Sequence, residues 1–240
     1  MPDQHPNDDD REQLTANRAV RRGIFLLGVF MLLLAVCLFG AAGRLGWTRG
    51  WIFLAVYLAL AIATGLYLWQ TNPEIVVARS TPHRGVKEWD RVIFVLITTS
   101  FMAMFPVAGI DERFRWSSVP LWLVVIGYVL LLIGMVGSAW VLGVNKFAEP
   151  QVRIQTERKQ TVIDTGPYAI VRHPLYAASF FLFGGNPLCL GSFWALVPAA
   201  VVTLVLIVRT VLEDQMLQNE LEGYREYAGR VRYRLVPGLW

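Results

Sequence analysis

The residues whose types and spacing could support chemistry in this chain gather in two short segments. The first is residues 166–176, where a turn, a cation, a histidine and two tyrosines fall within eleven positions. Its opening glycine and proline predict a turn, and Pro174 suits the first position of a helix, where its missing N–H group has no partner anyway. The free N–H groups of that helix start, beside Arg172 and His173, predict an anion-binding site.

The second segment is residues 209–214, where the last long apolar run ends. Arg209 and Glu213 share one helix face, so one interpretation is an intrahelical ion pair that contributes about 0.2–0.5 kcal/mol. Because the cation precedes the anion, which is the weaker arrangement, stability alone explains the pair poorly. Charged groups at a membrane edge, with Asp214 beside them, are better explained by a polar pocket.

Each residue also has a structural interpretation when it is considered alone. His173 could cap a helix, and Arg172 could anchor the chain at the cytoplasmic face. Tyr168 and Tyr176 could belong to the aromatic belt of the membrane interface. The concentration of these residues near a second polar segment favours chemistry. The two cysteines and three histidines lack the spacing of metal ligands, so we expect no metal site.

The composition predicts an all-α integral membrane protein with about six transmembrane helices, four spans followed by a C-terminal helical hairpin. Of the 240 residues, 55 % are hydrophobic and 17 % are charged, and apolar runs long enough to cross a bilayer recur along the chain. Asn72-Pro73 is expected to end the second span and open a loop. Glycines of the fourth span, including Gly127 and Gly134, are expected to let it pack closely against a neighbouring helix.

The same pattern divides the chain into three parts. Residues 1–22 are polar and are predicted to be a disordered cytosolic segment, and residues 23–144 hold the four spans. Residues 145–240 carry both polar segments, two further membrane helices and a cytosolic tail. Residues 184–187 are expected to interrupt the first of these two helices, and residues 152–163 are expected to form a small extended hairpin.

The distribution of cations predicts which side of the membrane the polar pocket faces. With six crossings, eighteen of the 22 lysine and arginine residues fall on one side and four on the other. Such an excess is typical of the cytoplasmic side. Both termini, the 145–172 loop and the cofactor pocket of the C-terminal part are therefore expected to face the cytoplasm, where water-soluble cofactors are found.

Taken together, the motifs resemble those of the isoprenylcysteine carboxyl methyltransferase family, small helical membrane enzymes with relatives among phospholipid N-methyltransferases. The resemblance covers roughly the last 95 residues and rests on Gly-Pro-Tyr at 166–168, Arg-His-Pro-x-Tyr at 172–176, the acidic pair 213–214 with Leu217, Tyr224-x-x-Tyr227 and Pro237. The usual Glu-Glu of the family is Glu-Asp here. The 145–157 loop and the break at Asn72-Pro73-Glu74 are more similar to bacterial members.

This resemblance implies an S-adenosylmethionine-dependent methyltransferase with a lipophilic acceptor, such as a prenylcysteine-type carboxylate or a similar small lipid. It implies seven cofactor-binding residues: Tyr168, Arg172, His173, Pro174, Tyr176, Glu213 and Asp214. Arg172, His173 and the helix start would bind the cofactor carboxylate, and aromatic or acidic groups would face its sulfonium. Arg209 would hold the acceptor carboxylate, and Glu213 would fix Arg209. The expected setting is the bacterial inner membrane, with lipids as partners and no nucleic acid.

Two other classes stay open. The membrane sterol reductases, which hold NADPH in a related helical pocket, resemble the same C-terminal region. In those enzymes an Asn usually precedes the tyrosine that follows the Arg-His, whereas Leu175 stands at that position here. The other class is a non-enzymatic membrane module or transporter. Against it, the ionisable residues gather at one membrane face rather than at the midplane, where transport sites usually lie.

Overall fold

The computed structural model describes residues 8–80 and 85–240, and within these ranges the chain is helical and contains no β-strand. The helices are α1 (Asp8–Ala42), α2 (Thr48–Thr71), α3 (Pro73–Ser80), α4 (Glu88–Phe114), α5 (Leu121–Val144), α6 (Pro174–Leu190), α7 (Leu196–Glu220) and α8 (Tyr224–Arg230). Two short 3₁₀ helices, Thr156–Arg158 and Gly166–Ala169, lie between α5 and α6. The predicted all-α class is therefore confirmed.

Among the described residues, five helices contain stretches long and apolar enough to cross a membrane, namely α1, α2, α4, α5 and α7. They indicate an integral membrane protein. Helix α6, which would be the sixth transmembrane helix, has 17 residues, and these span about 26 Å at the α-helical rise. It nevertheless connects the two ends of the bundle. His173, just before it, contacts Asp214 of α7, whereas Ser192, just after it, contacts Asp111 of α4. Its crossing of the bilayer stays a prediction.

The close packing of α5 against α6 depends on glycine. A Cβ atom at Gly127 would lie 2.6 Å from the backbone nitrogen of Cys189, and one at Gly134 would lie 2.6 Å from Leu182. Both distances are shorter than van der Waals contact, so any side chain at these positions would push the helices apart. The predicted role of these glycines is confirmed, and α5 thereby holds α6 in register beside the polar segments.

The bundle end far from the polar segments is organised by Asp111 at the end of α4, which is 2 % exposed. Its carboxylate accepts hydrogen bonds from the backbone N–H of Ser117 at 2.7 Å and from the Ser117 hydroxyl at 2.6 Å. The hydroxyl of Ser192 donates a third. These bonds satisfy a buried acceptor and tie the loop before α5 to the loop before α7.

The predicted break at Asn72-Pro73 is confirmed, because α2 ends at Thr71. The chain then enters the short helix α3 rather than a loop, since Pro73 occupies the first helical position, where it costs no hydrogen bond. The interruption predicted within α6 is absent. Helix α6 continues through residues 184–187, with Pro187 in its last turn. There the proline removes one i→i−4 hydrogen bond. Helix α6 stays closely packed on α5 through this stretch, since a Cβ atom at Gly185 would lie 2.8 Å from the Gly127 carbonyl oxygen.

Two further differences concern residues 152–163 and the N-terminal segment. Residues 152–163 form no hairpin, because their polar groups bind other elements, including Val152 to Asp90 and Gln155 to the Phe147 carbonyl. The N-terminal segment predicted to be disordered joins helix α1 from Asp8 onward, since no helix-breaking residue separates it from the first span. Residues 1–7 of that segment lie outside the described residues.

Candidate active site

The two polar segments meet around the carboxylate of Asp214 on α7, which is fully buried. It has five polar partners: Arg172 Nε at 2.9 Å, His173 Nε2 at 3.3 Å, Arg234 Nε at 3.0 Å, Gln218 Nε2 at 2.9 Å and the Tyr224 hydroxyl at 3.1 Å. A buried carboxylate needs such partners to offset its lost hydration. Asp214 therefore joins the start of α6, the end of α7 and the C-terminal segment.

The predicted anion donors at the start of α6 are already engaged within the protein. Arg172 Nη1 donates to the carbonyls of Ala228 at 3.3 Å and Val231 at 3.2 Å. The backbone N–H groups of Arg172 and His173 donate to the carbonyls of residues 233 and 234, at 3.0 and 2.9 Å. These groups fasten the C-terminal segment to α6. The structure thus differs from the expectation that they present free donors to a cofactor carboxylate.

A cavity of about 110 Å³ lies between the two polar segments. Its walls are the end of α5, the 147–163 loop, the start of α6, α7 and α8. Five of the seven predicted cofactor-binding residues line it, namely Tyr168, Arg172, His173, Tyr176 and Glu213. The other two, Pro174 and Asp214, are buried behind this lining, as is Arg209. Asp214 supports the wall rather than facing the cavity.

Two carboxylates line the cavity. Glu213 accepts a short hydrogen bond from the hydroxyl of Tyr176, whose ring stacks on His173 with the centroids 5.7 Å apart. Glu149, which the sequence did not single out, is held by Arg153 through bonds of 2.7 and 2.9 Å. The cavity therefore presents two fixed negative charges next to an aromatic ring. The described residues contain no group of three potential metal ligands.

Three tyrosines complete the wall as neutral hydroxyl groups. Tyr168 accepts a bond of 2.7 Å from the Asn145 amide, and Tyr227 donates to the Tyr168 carbonyl at 2.8 Å. Burial raises the pKa of Tyr168, Tyr224 and Tyr227 above the ordinary value, so their hydroxyls keep their protons. Tyr224 and Tyr227 were not among the predicted cofactor-binding residues, yet both line the cavity. Their three-residue spacing on one helix face was the feature of the sequence that could have indicated this.

Arg209 is fixed by Asp90 of α4 and not by Glu213. Its Nε and Nη2 atoms lie 2.8 and 3.1 Å from the two carboxylate oxygens of Asp90, and Nη2 also donates to the Pro150 carbonyl at 2.8 Å. The predicted pairing with Glu213 is corrected by this contact. The buried guanidinium of Arg209 requires a close counter-ion, and Asp90 binds it in a bidentate manner. The Glu213 carboxylate is instead bound by Tyr176.

Asp90 is not among the residues that the sequence analysis singled out. It is fully buried and also accepts the backbone N–H of Val152 at 2.7 Å. It therefore ties α4, α7 and the cavity loop together. The available signal was an acidic residue at the entrance of an apolar span, a position where charges usually face the bundle interior.

The fold and this site define a class: a helical membrane protein with a cavity of paired charges and tyrosines at one end of its bundle. Residues 122–222 match the phospholipid methyltransferase family, which includes the membrane enzymes similar to isoprenylcysteine carboxyl methyltransferase. Over this region the match confirms the predicted resemblance and points to a membrane methyltransferase; enzymes of that family generally use S-adenosylmethionine. No curated protein matches the chain.

Proposed function

We propose that this chain transfers the methyl group of S-adenosylmethionine to a carboxylate on a lipophilic acceptor. The supporting observation is that the segments 172–176 and 209–214 border one cavity in the region that matches membrane methyltransferases. The predicted excess of cations around the same segments favours a site at the cytoplasmic face. A cofactor would then arrive from water, and the acceptor would arrive from the bilayer.

The lining of the cavity suits the charges of this cofactor. A sulfonium and an amino group are both cationic, and the carboxylates of Glu149 and Glu213 face the cavity with the ring of Tyr176 beside them. The apolar side chains of Val162 and Leu217 offer a surface for the adenosine. Arg172, the predicted partner of the cofactor carboxylate, is already bound to Asp214 and to two backbone carbonyls.

Binding of a whole nucleoside requires the cavity to widen. Its volume of about 110 Å³ is below the roughly 300–1,000 Å³ of typical small-molecule pockets. The 147–163 wall contains one 3₁₀ turn as its regular structure, so it is the wall that we expect to move. Hydrogen exchange of this loop with and without S-adenosylhomocysteine tests the expectation. Protection elsewhere, with the loop unchanged, would contradict it.

The chain's own residues would act by alignment and by excluding water. The bound cofactor would supply the electrophilic methyl group, whose bond to sulfur breaks as its bond to the acceptor oxygen forms. Glu213 and Tyr176 hold each other on the cofactor side, and the Tyr176 ring lies 5.6 Å from the Arg209 guanidinium. Arg209, fixed by Asp90, orients the acceptor. A carboxylate acceptor loses no proton, so no general base is required.

Radiolabelled methyl transfer tests the proposal. The purified protein in neutral-detergent micelles receives labelled S-adenosylmethionine with prenylcysteine analogues in one arm and phospholipid vesicles in the other. Label in the carboxylate acceptors supports the proposal. Label in phospholipid amines would favour the second candidate acceptor, which the family match suggests. Calorimetric binding of NADPH without binding of S-adenosylhomocysteine would instead favour a reductase.

A further inference from the structure

A second arginine approaches the site from the N-terminal half of the chain. Arg79 lies in the last turn of α3, outside the matched region 122–222. Its Nη1 atom donates a hydrogen bond of 2.8 Å to the carbonyl of Ala148. Ala148 lines the cavity, so α3 places a cation directly behind the cavity wall.

Arg79 and Arg209 bind the same short stretch of backbone. Arg79 donates to the carbonyl of Ala148 and Arg209 donates to the carbonyl of Pro150, each at 2.8 Å. Carbonyls two residues apart lie within about 7 Å of each other even in a fully extended chain. Two guanidinium groups that come from α3 and α7 therefore converge on one edge of the site.

The packing of α3 fixes the position of Arg79. Ile75 of α3 is fully buried against Leu68 and Leu142, and Ala148 and Leu175 pack on the same cluster. Leu175 is the second residue of α6, so α3 is held beside the start of the helix that carries Tyr176. Arg79 follows Ile75 by one helical turn, so the packing of α3 places Arg79 beside the cavity loop.

The two cations differ in how their charge is balanced. Arg209 is paired with the buried Asp90 through two contacts. The hydrogen bond of Arg79 goes to a neutral carbonyl, and Arg79 keeps an exposed surface. The surrounding protein atoms and the positive charge of Arg209 lower the pKa of Arg79, whereas the Glu149 carboxylate raises it. Two guanidinium groups at one edge of a site can together bind an oxyanion through charge-assisted hydrogen bonds.

We propose that Arg79 is a positioning and specificity residue that, together with Arg209, binds the carboxylate of the lipophilic acceptor. This inference rests on the methyl-transfer function proposed above and adds to it that acceptor choice depends on the N-terminal half of the chain. The ligand chemistry is an oxyanion on an apolar body. Its two possible sources are the acceptor's carboxylate and the phosphate of a bilayer headgroup, and we assign the site to the former.

Steady-state kinetics of Arg79→Gln in neutral-detergent micelles test the proposal. We expect the KM for a carboxylate acceptor to rise about tenfold with kcat and S-adenosylhomocysteine affinity unchanged, because one charge-assisted hydrogen bond is lost. Arg79→Lys should recover part of the affinity. The matched control is Arg230→Gln, which removes an exposed arginine whose partner is Asp164 and should leave KM unchanged.

A neutral inhibitor separates charge recognition from a structural effect. A carboxamide analogue of the acceptor should inhibit the wild type and Arg79→Gln equally, whereas the carboxylate should bind the variant more weakly. An unchanged KM in a wild type that transfers methyl groups would overturn this inference and leave the proposed function intact. An effect confined to vesicles with anionic lipid would also overturn it, since a headgroup would then be the ligand. Absence of transfer in the wild type would remove both proposals.

Discussion

The two ends of the bundle are each organised by a buried aspartate, and the partners of these aspartates differ. Asp111, at the far end, accepts hydrogen bonds from the hydroxyls of Ser117 and Ser192 and from one backbone N–H group. Asp214, at the site end, is contacted by two arginines as well as by His173, Tyr224 and Gln218. Asp111 is thus held by neutral dipoles, whereas Asp214 is held largely by charged partners.

This difference distinguishes a structural role of a buried aspartate from a role in a functional site. Neutral donors around Asp111 join two loops at little electrostatic cost. Paired charges cost several kcal/mol per ion to bury and are retained only where geometry is good. At the site end two such groupings, Asp214 with Arg172 and Asp90 with Arg209, lie beside a cavity. The charged end is therefore the one where removal of a single group should have the larger consequence.

The largest effect is expected from breaking the Asp214 centre. Asp214→Ala leaves Arg172 and Arg234 without their carboxylate, so the free energy of unfolding should fall by about 3–5 kcal/mol. Asp111→Ala removes an acceptor for neutral donors and should cost about 1–3 kcal/mol. Denaturant unfolding of both variants in detergent measures the contrast. Equal losses would show that the charge of the partners is unimportant.

The next effect concerns Arg209 and Asp90, whose pairing can be separated from catalysis. Arg209→Met alone strands a buried carboxylate and should cost about 3 kcal/mol of stability. The double variant Asp90→Asn with Arg209→Met removes both charges and keeps an acceptor for the Val152 N–H group, so stability should recover. Methyl transfer should stay absent in both variants. Full activity in the double variant, measured with labelled cofactor, would eliminate Arg209 as the acceptor-binding group.

A smaller and more selective effect is expected at Glu213. Glu213→Gln should weaken S-adenosylmethionine binding about tenfold, because a carboxylate facing a sulfonium is worth a charge-assisted interaction. S-adenosylhomocysteine has no sulfonium charge, so its affinity should change much less. Isothermal titration of the two ligands measures the difference, with Tyr176→Phe as a control that keeps the carboxylate. Equal weakening of both ligands would argue against a contact between Glu213 and the sulfonium.

Local features of this fold could be predicted from the sequence because they depend on neighbouring residues. Helix α6 begins at Pro174, as the proline indicates. Gly127 and Gly134 lie at a close helix contact because small residues are needed there. The resemblance to the family could likewise be recognised from the sequence, because it rests on short motifs in a fixed order along the chain.

Long-range partners could not be predicted in the same way. Asp90 and Arg209 are 119 residues apart, and nothing in their spacing tells which helix faces which. Intrahelical spacing suggested Glu213 as the partner of Arg209, but tertiary packing brings Asp90 closer. Glu149 was missed for the same reason, since a carboxylate in a polar loop becomes part of a site only when the loop is folded over a cavity.

The smallest effect is expected from alkaline pH, and it should be confined to the site end. Tyr168, Tyr224 and Tyr227 have their pKa values raised by burial, so folding binds protons that the unfolded chain releases above about pH 10. Their contribution to stability is complete below the unfolded pKa of about 10 and is lost as the pH rises toward the folded values. Tyr227→Phe should reduce this loss. Hydrogen exchange at about pH 10 to 11 should therefore increase in residues 224–235 before it increases around Asp111, and simultaneous opening of both ends would contradict the contrast between them.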